Sequence, residues 1–252
     1  CIAVAYEQSS GRAMFVWGSD KDVESRLWDG SSWLLENSPI SIGAKPYWLS
    51  LKADPNSNKL VLVCVDSARD LNTARWDGTS WTLDPEHETN LETSSSRCAD
   101  AIFENASGHE GHILLVWGRS GKDIARYRHF DGSTWSSTQN IESKAHSKDP
   151  RVVQLRRDNT GLIFLAILDE DKDLNTWTWK SADSVWTWRK EHSDNLPYNK
   201  YEPFMITESP SAEVPVDKVD LYFCNDGTYA YFNETLTHTP DPNSFTYVVY
   251  LD

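Results

Sequence analysis

A six-residue motif recurs along this chain as Trp28-Asp29-Gly30-Ser31-Ser32-Trp33, Trp76-Asp77-Gly78-Thr79-Ser80-Trp81 and Phe130-Asp131-Gly132-Ser133-Thr134-Trp135, with an eroded fourth copy from Trp179 to Trp186. Its closing tryptophans, Trp33, Trp81, Trp135 and Trp186, are 48, 54 and 51 residues apart. A period of this length marks propeller blades or solenoid units, each of which buries its apolar face only by stacking on a neighbour. Asp-Gly supplies the positive-φ positions that a tight hairpin needs, so the motif is a turn between two strands. Side-chain alternation then puts Trp76 and Trp81 on one face of the hairpin, where they pack as a staple.

Each repeat reads as four short strands. In the second these are Tyr47 to Ala53, Lys59 to Val65, Leu71 to Trp76 and Ser80 to Leu83, with an Asp54-Pro55-Asn56-Ser57-Asn58 turn after the first. Two kinds of repeat alternate. Cys1 to Glu7 with Val16-Trp17-Gly18 matches Cys98 to Glu104 with Val116-Trp117-Gly118, while Asp70-Leu71-Asn72-Thr73 returns 103 residues later as Asp173-Leu174-Asn175-Thr176. The expectation is an all-β propeller of about five four-stranded blades in a single repeat domain, at 1–37, 38–88, 89–142, 143–195 and 196–252. The last lacks the hexapeptide, with strand-like runs at Val219 to Cys224, Thr228 to Phe232 and Phe245 to Leu251, and is a diverged blade. An open array cut from a longer protein is the alternative.

Composition narrows the function classes. The 252 residues carry 38 acidic and 24 basic side chains, a formal net charge of −14. Without a Lys/Arg cluster, such a chain repels a phosphate backbone, which argues against nucleic acid. Twelve Trp, ten Tyr and eight Phe argue against disorder. The longest apolar runs, Leu60 to Val65 and Leu162 to Leu168, have strand length, so no transmembrane segment is expected. The chain opens inside an apolar stretch, Cys1 to Tyr6, as a mature or trimmed product would. The four cysteines have no zinc-ligand spacing; Cys1 matches Cys98 and Cys64 matches Cys224, equivalent positions in separate blades, which predicts buried free thiols. Two glycosylation sequons, at Asn105 and Asn233, are about what chance supplies.

Val4 to Gly11, Lys45 to Pro55 and the Trp-Asp-Gly-Ser-Ser-Trp turn resemble alternating repeats of large prokaryotic surface or secreted proteins, over roughly residues 1 to 190. That resemblance implies an extracellular or cell-surface repeat module, in some cases attached to an envelope anchor or pilin-like segment. It carries over no catalytic residue. Phe130 and the worn fourth copy depart from the pattern.

Several side chains are candidates for a site. Trp17 and Trp117 end their second strands at the rim of the loops between strands two and three; they either cap the ring interior or offer aromatic faces to a sugar or peptide. Asp169, Asp171 and Asp173 alternate in such a loop, either as a solvated acidic turn or as carboxylates converging on calcium, though the usual following Gly is missing. No other cofactor is expected. His87, His146 and His192 fall in loops between blades and read as solvent-exposed. The Trp-Asp-Gly turns read as structural, with sugar stacking as the alternative.

These features favour a non-enzymatic binding or assembly module on a cell surface, a class that includes filament subunits, with protein partners or further copies of itself. The alternative is a carbohydrate-binding lectin with pockets between blades. A sialidase-like glycoside hydrolase is a further alternative. Sialidase propellers carry an Asp-x-Gly-x-x-Trp box on the same hairpin, whereas here the spacing is one residue shorter, and no convergent Arg and carboxylate group stands out.

Overall fold

Alternation of apolar and polar side chains turns each repeat into a four-stranded antiparallel sheet. The computed structural model describes residues 1–192 apart from 35–37, 93–96, 142–147, 159 and 172, together with the strand pair Cys224–Asn225 and Ala230–Tyr231. The first sheet contains β1 (Ile2–Tyr6), β2 (Ala13–Gly18), β3 (Asp22–Trp28) and β4 (Ile40–Ser41), in that order. The second contains β5 (Pro46–Ala53), β6 (Leu60–Asp66), β7 (Leu71–Trp76) and β8 (Trp81–Leu83). The third contains β9 (Ala99–Phe103), β10 (Ile113–Trp117), β11 (Arg126–Phe130) and β12 (Gln139–Asn140). The fourth contains β13 (Pro150–Arg157), β14 (Ile163–Asp169), β15 (Leu174–Lys180) and β16 (Val185–His192).

The fold is therefore an all-β propeller built of four-stranded blades, with no helix among the described residues. No helix among them is long and apolar enough to cross a membrane. The first sheet runs on past the expected boundary at 37, because Asp22 and Val23 pair with Ser41 and Ile40. Chain contacts divide the protein into two units, Cys1–Leu196 and Pro197–Asp252. The proposed fifth blade corresponds to the second unit and, apart from its short strand pair, lies outside the described residues.

Successive sheets stack face to face. Met14, Val16, Val23 and Leu27 of the first meet Leu60, Leu62, Ala74 and Trp76 of the second. The opposite face of the second, Val61, Val63, Val65 and Leu71, packs on Ala99, Phe103, Leu115, Trp117 and Phe130 of the third. Leu114, Val116 and Tyr127 on the far side of the third meet Val153, Leu165, Trp177 and Trp179 of the fourth. Every residue of β6 is buried, as a strand sandwiched between two neighbouring sheets must be. The first strands β1, β5, β9 and β13 touch one another in sequence and form the inner wall.

The recurring dipeptide after each Val, Trp17-Gly18 and Trp117-Gly118, has a packing reason. A Cβ on Gly118 would sit 2.1 Å from the Pro150 carbonyl oxygen that begins the next blade, and one on Gly18 would sit 3.0 Å from Pro46 Cβ. Only glycine lets these chains approach so closely.

The hexapeptides form the turns expected of them. Asp29 Oδ1 accepts the Ser31 and Ser32 N–H groups at 2.8 and 2.7 Å; Asp77 does the same for Thr79 and Ser80 at 2.7 and 2.8 Å, and Asp131 for Ser133 and Thr134 at 2.9 and 2.8 Å. These bonds favour the ionised carboxylate; at Asp77 the Thr79 hydroxyl, then the Ser80 and Thr79 N–H groups, hold the carboxyl down at about 2. The flanking aromatic pairs lie directly opposite each other, with ring centroids 5.4 Å apart for Trp28 and Trp33, 5.5 Å for Trp76 and Trp81, and 5.3 Å for Phe130 and Trp135. The worn copy keeps its pair, Trp179 and Trp186, at 5.2 Å.

Candidate functional site

Among the polar groups that cross between blades are two carboxylates where β1 and β9 end. Glu7 follows β1 and Glu104 follows β9, and both side chains are fully buried. Each meets an indole from the next blade: Trp76 Nε1 donates to Glu7 Oε1 at 2.6 Å, and Trp179 Nε1 donates to Glu104 Oε1 at 2.6 Å. The third sheet's counterpart is Phe130, which has no N–H to give, and the second sheet's turn accordingly uses Asp54 to cap itself through Asn56 N and Ser57 Oγ. The indole-carboxylate pair thus forms where a blade of the first kind precedes one of the second.

The two copies differ in how the carboxylate is balanced. At Glu7, Arg12 donates through Nε to Oε2 at 2.6 Å and through a terminal nitrogen to Oε1 at 3.0 Å, and reaches the Gly78 carbonyl of the adjacent hexapeptide at 3.0 Å. Arg12 stays partly exposed. At Glu104 the corresponding position is His112, since Glu7 N–H bonds to the Arg12 carbonyl and Glu104 N–H to the His112 carbonyl, both at 2.9 Å. Two more histidines join it. Glu104 Oε2 lies 3.1 Å from His109 Nδ1, 3.3 Å from His129 Nε2 and 3.8 Å from His112 Nδ1. Burial opposes the charge on Glu104, but His129, the Trp179 indole and His109 outweigh it and keep the carboxyl below its ordinary range. Burial, then His129, pushes His112 down, against the pull of Glu104.

The sites expected from sequence are placed differently. Trp117 is fully buried and its indole donates to Glu88 Oε2 at 3.4 Å, so it presents no face to a ligand; Trp17 keeps part of its surface. Asp169 is turned inward, accepting the Asp173 N–H at 3.0 Å and the Asn175 side-chain amide at 3.4 Å. Asp66 holds the equivalent turn of the second blade through Ala68 N, Asp70 N and Asn72 Nδ2. Burial raises Asp169 to about 6, with Asp173 and Asp171 adding to the rise. The expected calcium ligands Asp169, Asp171 and Asp173 are therefore not brought together as one ligand set. Among the described residues, the group with that property is Glu104, His109, His112 and His129.

His87 also departs from expectation. It is buried, with Nε2 2.7 Å from Thr73 Oγ1, Nδ1 3.3 Å from an Arg128 nitrogen and its ring edge-on to Trp135 at 4.7 Å. The next blade covers it, which its polar sequence neighbours did not foretell. His146 lies outside the described residues, and His192 ends β16 rather than lying in a loop. Cys64 is a buried free thiol as expected and Cys98 is buried, whereas Cys1 is exposed. Burial pushes the Cys64 thiol up.

No protein-family model and no curated protein matches the chain. Among solved structures it is similar to the SapL1 lectin in complex with alpha methyl fucoside (17% identity, TM-score 0.52, covering 76% of this chain and 65% of that one). It is likewise similar to the BP39L lectin of Burkholderia pseudomallei (17% identity, TM-score 0.53, 73% of this chain and 53% of that one). A third, the six-bladed β-propeller lectin of Aleuria aurantia, has 13% identity and a TM-score of 0.49, covering 74% of this chain and 58% of that one. The chain thus spans less than two thirds of the length of each of these lectins. At these identities the similarity concerns the fold, a propeller of four-stranded blades.

Proposed function

We propose that this chain is a non-enzymatic, glycan-binding propeller module that works outside the cell or on its surface. The observation that carries this reading is the architecture itself, a propeller of four-stranded blades like that of the SapL1 and BP39L lectins, with a partly exposed cation, Arg12, held at the first blade junction where it can donate to sugar oxygens. A glycan site needs fixed donors to sugar oxygens; Glu7 and Trp76 are buried and hold Arg12 in place rather than facing a ligand themselves. The lectin neighbours support the reading through their shared architecture. Because SapL1 is described with alpha methyl fucoside, that glycoside is the first ligand to test.

The test is a glycan array followed by calorimetric titration of alpha methyl fucoside and its common monosaccharide counterparts into wild type and Arg12→Ala. Saturable binding, weakened in the variant at the first junction, supports the reading. Absence of any retained glycan on the array and of heat at millimolar sugar would overturn it.

One observation favours assembly as a second reading. Among the described residues, the face of the first sheet turned away from the second exposes Ile2, Val4, Tyr6, Phe15 and Trp33, the first of them 82% exposed. By strand register these match Ala99, Ala101, Phe103, Leu115 and Trp135, which the third sheet packs on the second. A face shaped for a blade of the second kind fits the fourth sheet of another copy. Light scattering across a concentration series tests this: Phe15→Lys should abolish a dimer or longer assembly, and a wild type that stays monomeric throughout removes the reading.

A further inference from the structure

The departure of the third blade from the first is chemically specific. Where the first blade offsets its buried carboxylate with a permanent cation, Arg12, the third presents three imidazoles to Glu104. The histidines reach it by separate routes. His112 occupies the position of Arg12, and His129 that of Leu27, since Leu27 pairs with Met14 and His129 with Leu114. His109 comes from a longer loop, residues 105–111 where the first blade has 8–11. That loop closes on itself twice, His109 N–H to the Ala106 carbonyl at 2.9 Å and His112 N–H to the His109 carbonyl at 3.1 Å, which carries His109 back over the carboxylate.

The four side chains offer one ligand atom each, and these atoms all lie within 4.8 Å of one another. A tetrahedral zinc site, with bonds of about 2.0–2.2 Å, puts its ligand atoms about 3.3–3.6 Å apart. The three separations from Glu104 Oε2, 3.1, 3.3 and 3.8 Å, bracket that value. His112 Nδ1 is buried and has no hydrogen-bond partner among the described residues. The remaining Glu104 oxygen is fixed by the Trp179 indole, the outer hydrogen bond that orients a ligating carboxylate.

We propose that Glu104, His109, His112 and His129 bind one divalent transition-metal ion of the zinc class. Three imidazoles and a carboxylate suit zinc, and softer or larger ions less well. Four protein ligands leave no position for a water, so the site is structural: it ties the 105–111 loop to β11 and, through Trp179, to the fourth blade. The inference does not depend on glycan binding, because metal uptake is measured without sugar.

The experiment uses the full chain stripped with chelator, titrated with cobalt(II) and zinc(II). Wild type should show the intense visible absorption of tetrahedral cobalt at one ion per chain, quenched by zinc, and a rise in melting temperature that saturates at one zinc equivalent. His112→Arg copies the first blade and should abolish both signals. His109→Ala lies in a loop, where folding is least at risk, and should weaken uptake at least about 10-fold; Trp179→Phe should weaken it about 10- to 100-fold through the lost outer hydrogen bond. A wild type with neither signal overturns the proposal, as does uptake that survives unchanged in both histidine variants.

Discussion

Trp76 Nε1 lies 2.6 Å from Glu7 Oε1, joining two residues 69 positions apart on neighbouring sheets. A fully buried carboxylate is costly unless its oxygens are satisfied, so this bond supports the first junction as well as decorating it. Trp76→Phe should remove the donor while preserving most of the apolar packing. Loss of a hydrogen bond to a buried charge costs roughly 1–3 kcal/mol. Urea unfolding at pH 7 measures it, and an unchanged midpoint would mean that Arg12 and the Ser10 hydroxyl are enough to satisfy Glu7.

Gly78 adopts a φ of +102° in its turn, and a Cβ there would also stand 3.4 Å from Asn58 Cβ. Gly78→Val should lower the melting temperature, with backbone strain of about 1–3 kcal/mol. Gly30 has a φ of +100° and open space around the added carbon, so Gly30→Val isolates strain from contact. The melting temperature should fall in both proteins, and further for Gly78. Two unchanged melts would show that neither turn needs its positive φ.

Burial, then the charge of Arg128, pushes His87 from 6.5 to about 3. The folded state therefore refuses a proton that the unfolded chain accepts. The stabilising contribution of the neutral ring is complete above the unfolded value and is lost as the pH falls from 6.5 toward about 3, at up to about 1.4 kcal/mol per pH unit. Unfolding free energies from pH 7 to pH 4 should show a shallower acid decline for His87→Phe than for wild type. Parallel curves would place the acid sensitivity elsewhere.

Asp169 and Asp171 should separate cleanly. Asp169 is buried and caps its turn, so Asp169→Ala leaves turn N–H groups without their acceptor and should cost roughly 1–3 kcal/mol. Asp171 is exposed, and Asp171→Asn should stay within about 0.5 kcal/mol of wild type. Millimolar calcium should leave the wild-type melting temperature unchanged; a rise that Asp171→Asn removes would support the calcium reading instead.

The blades were legible because a hairpin turn needs particular residues at particular positions. Asp77 and Gly78 announce theirs, and the 103-residue return of Asp-Leu-Asn-Thr reflects a buried Asp and Asn, Asp66 with Asn72 and Asp169 with Asn175, that close the same turn twice. The histidine group was not legible. His109 and His129 are 20 residues apart and meet through a loop and the strand pairing of β10 with β11, which no local spacing reveals. Aligning the first and third blades was the available signal, since it sets His112 against Arg12. The burial of His87 is hidden for a related reason: what covers it comes from an adjacent blade, and burial of that kind has no periodicity along the chain, whereas the burial of Trp117 agrees with the first of its two readings, a cap on the interior.

Alternation also imposes a parity rule. Each blade presents different residues on its two sides, and the described contacts always join unlike kinds. A closed circle made only of these two kinds must contain an even number of them; an odd circle would force two like faces together or require a blade of a third kind. Gain or loss of a single repeat by recombination would thus set Trp-rich surface against the wrong partner, whereas gain or loss of a two-blade segment would leave every seam intact.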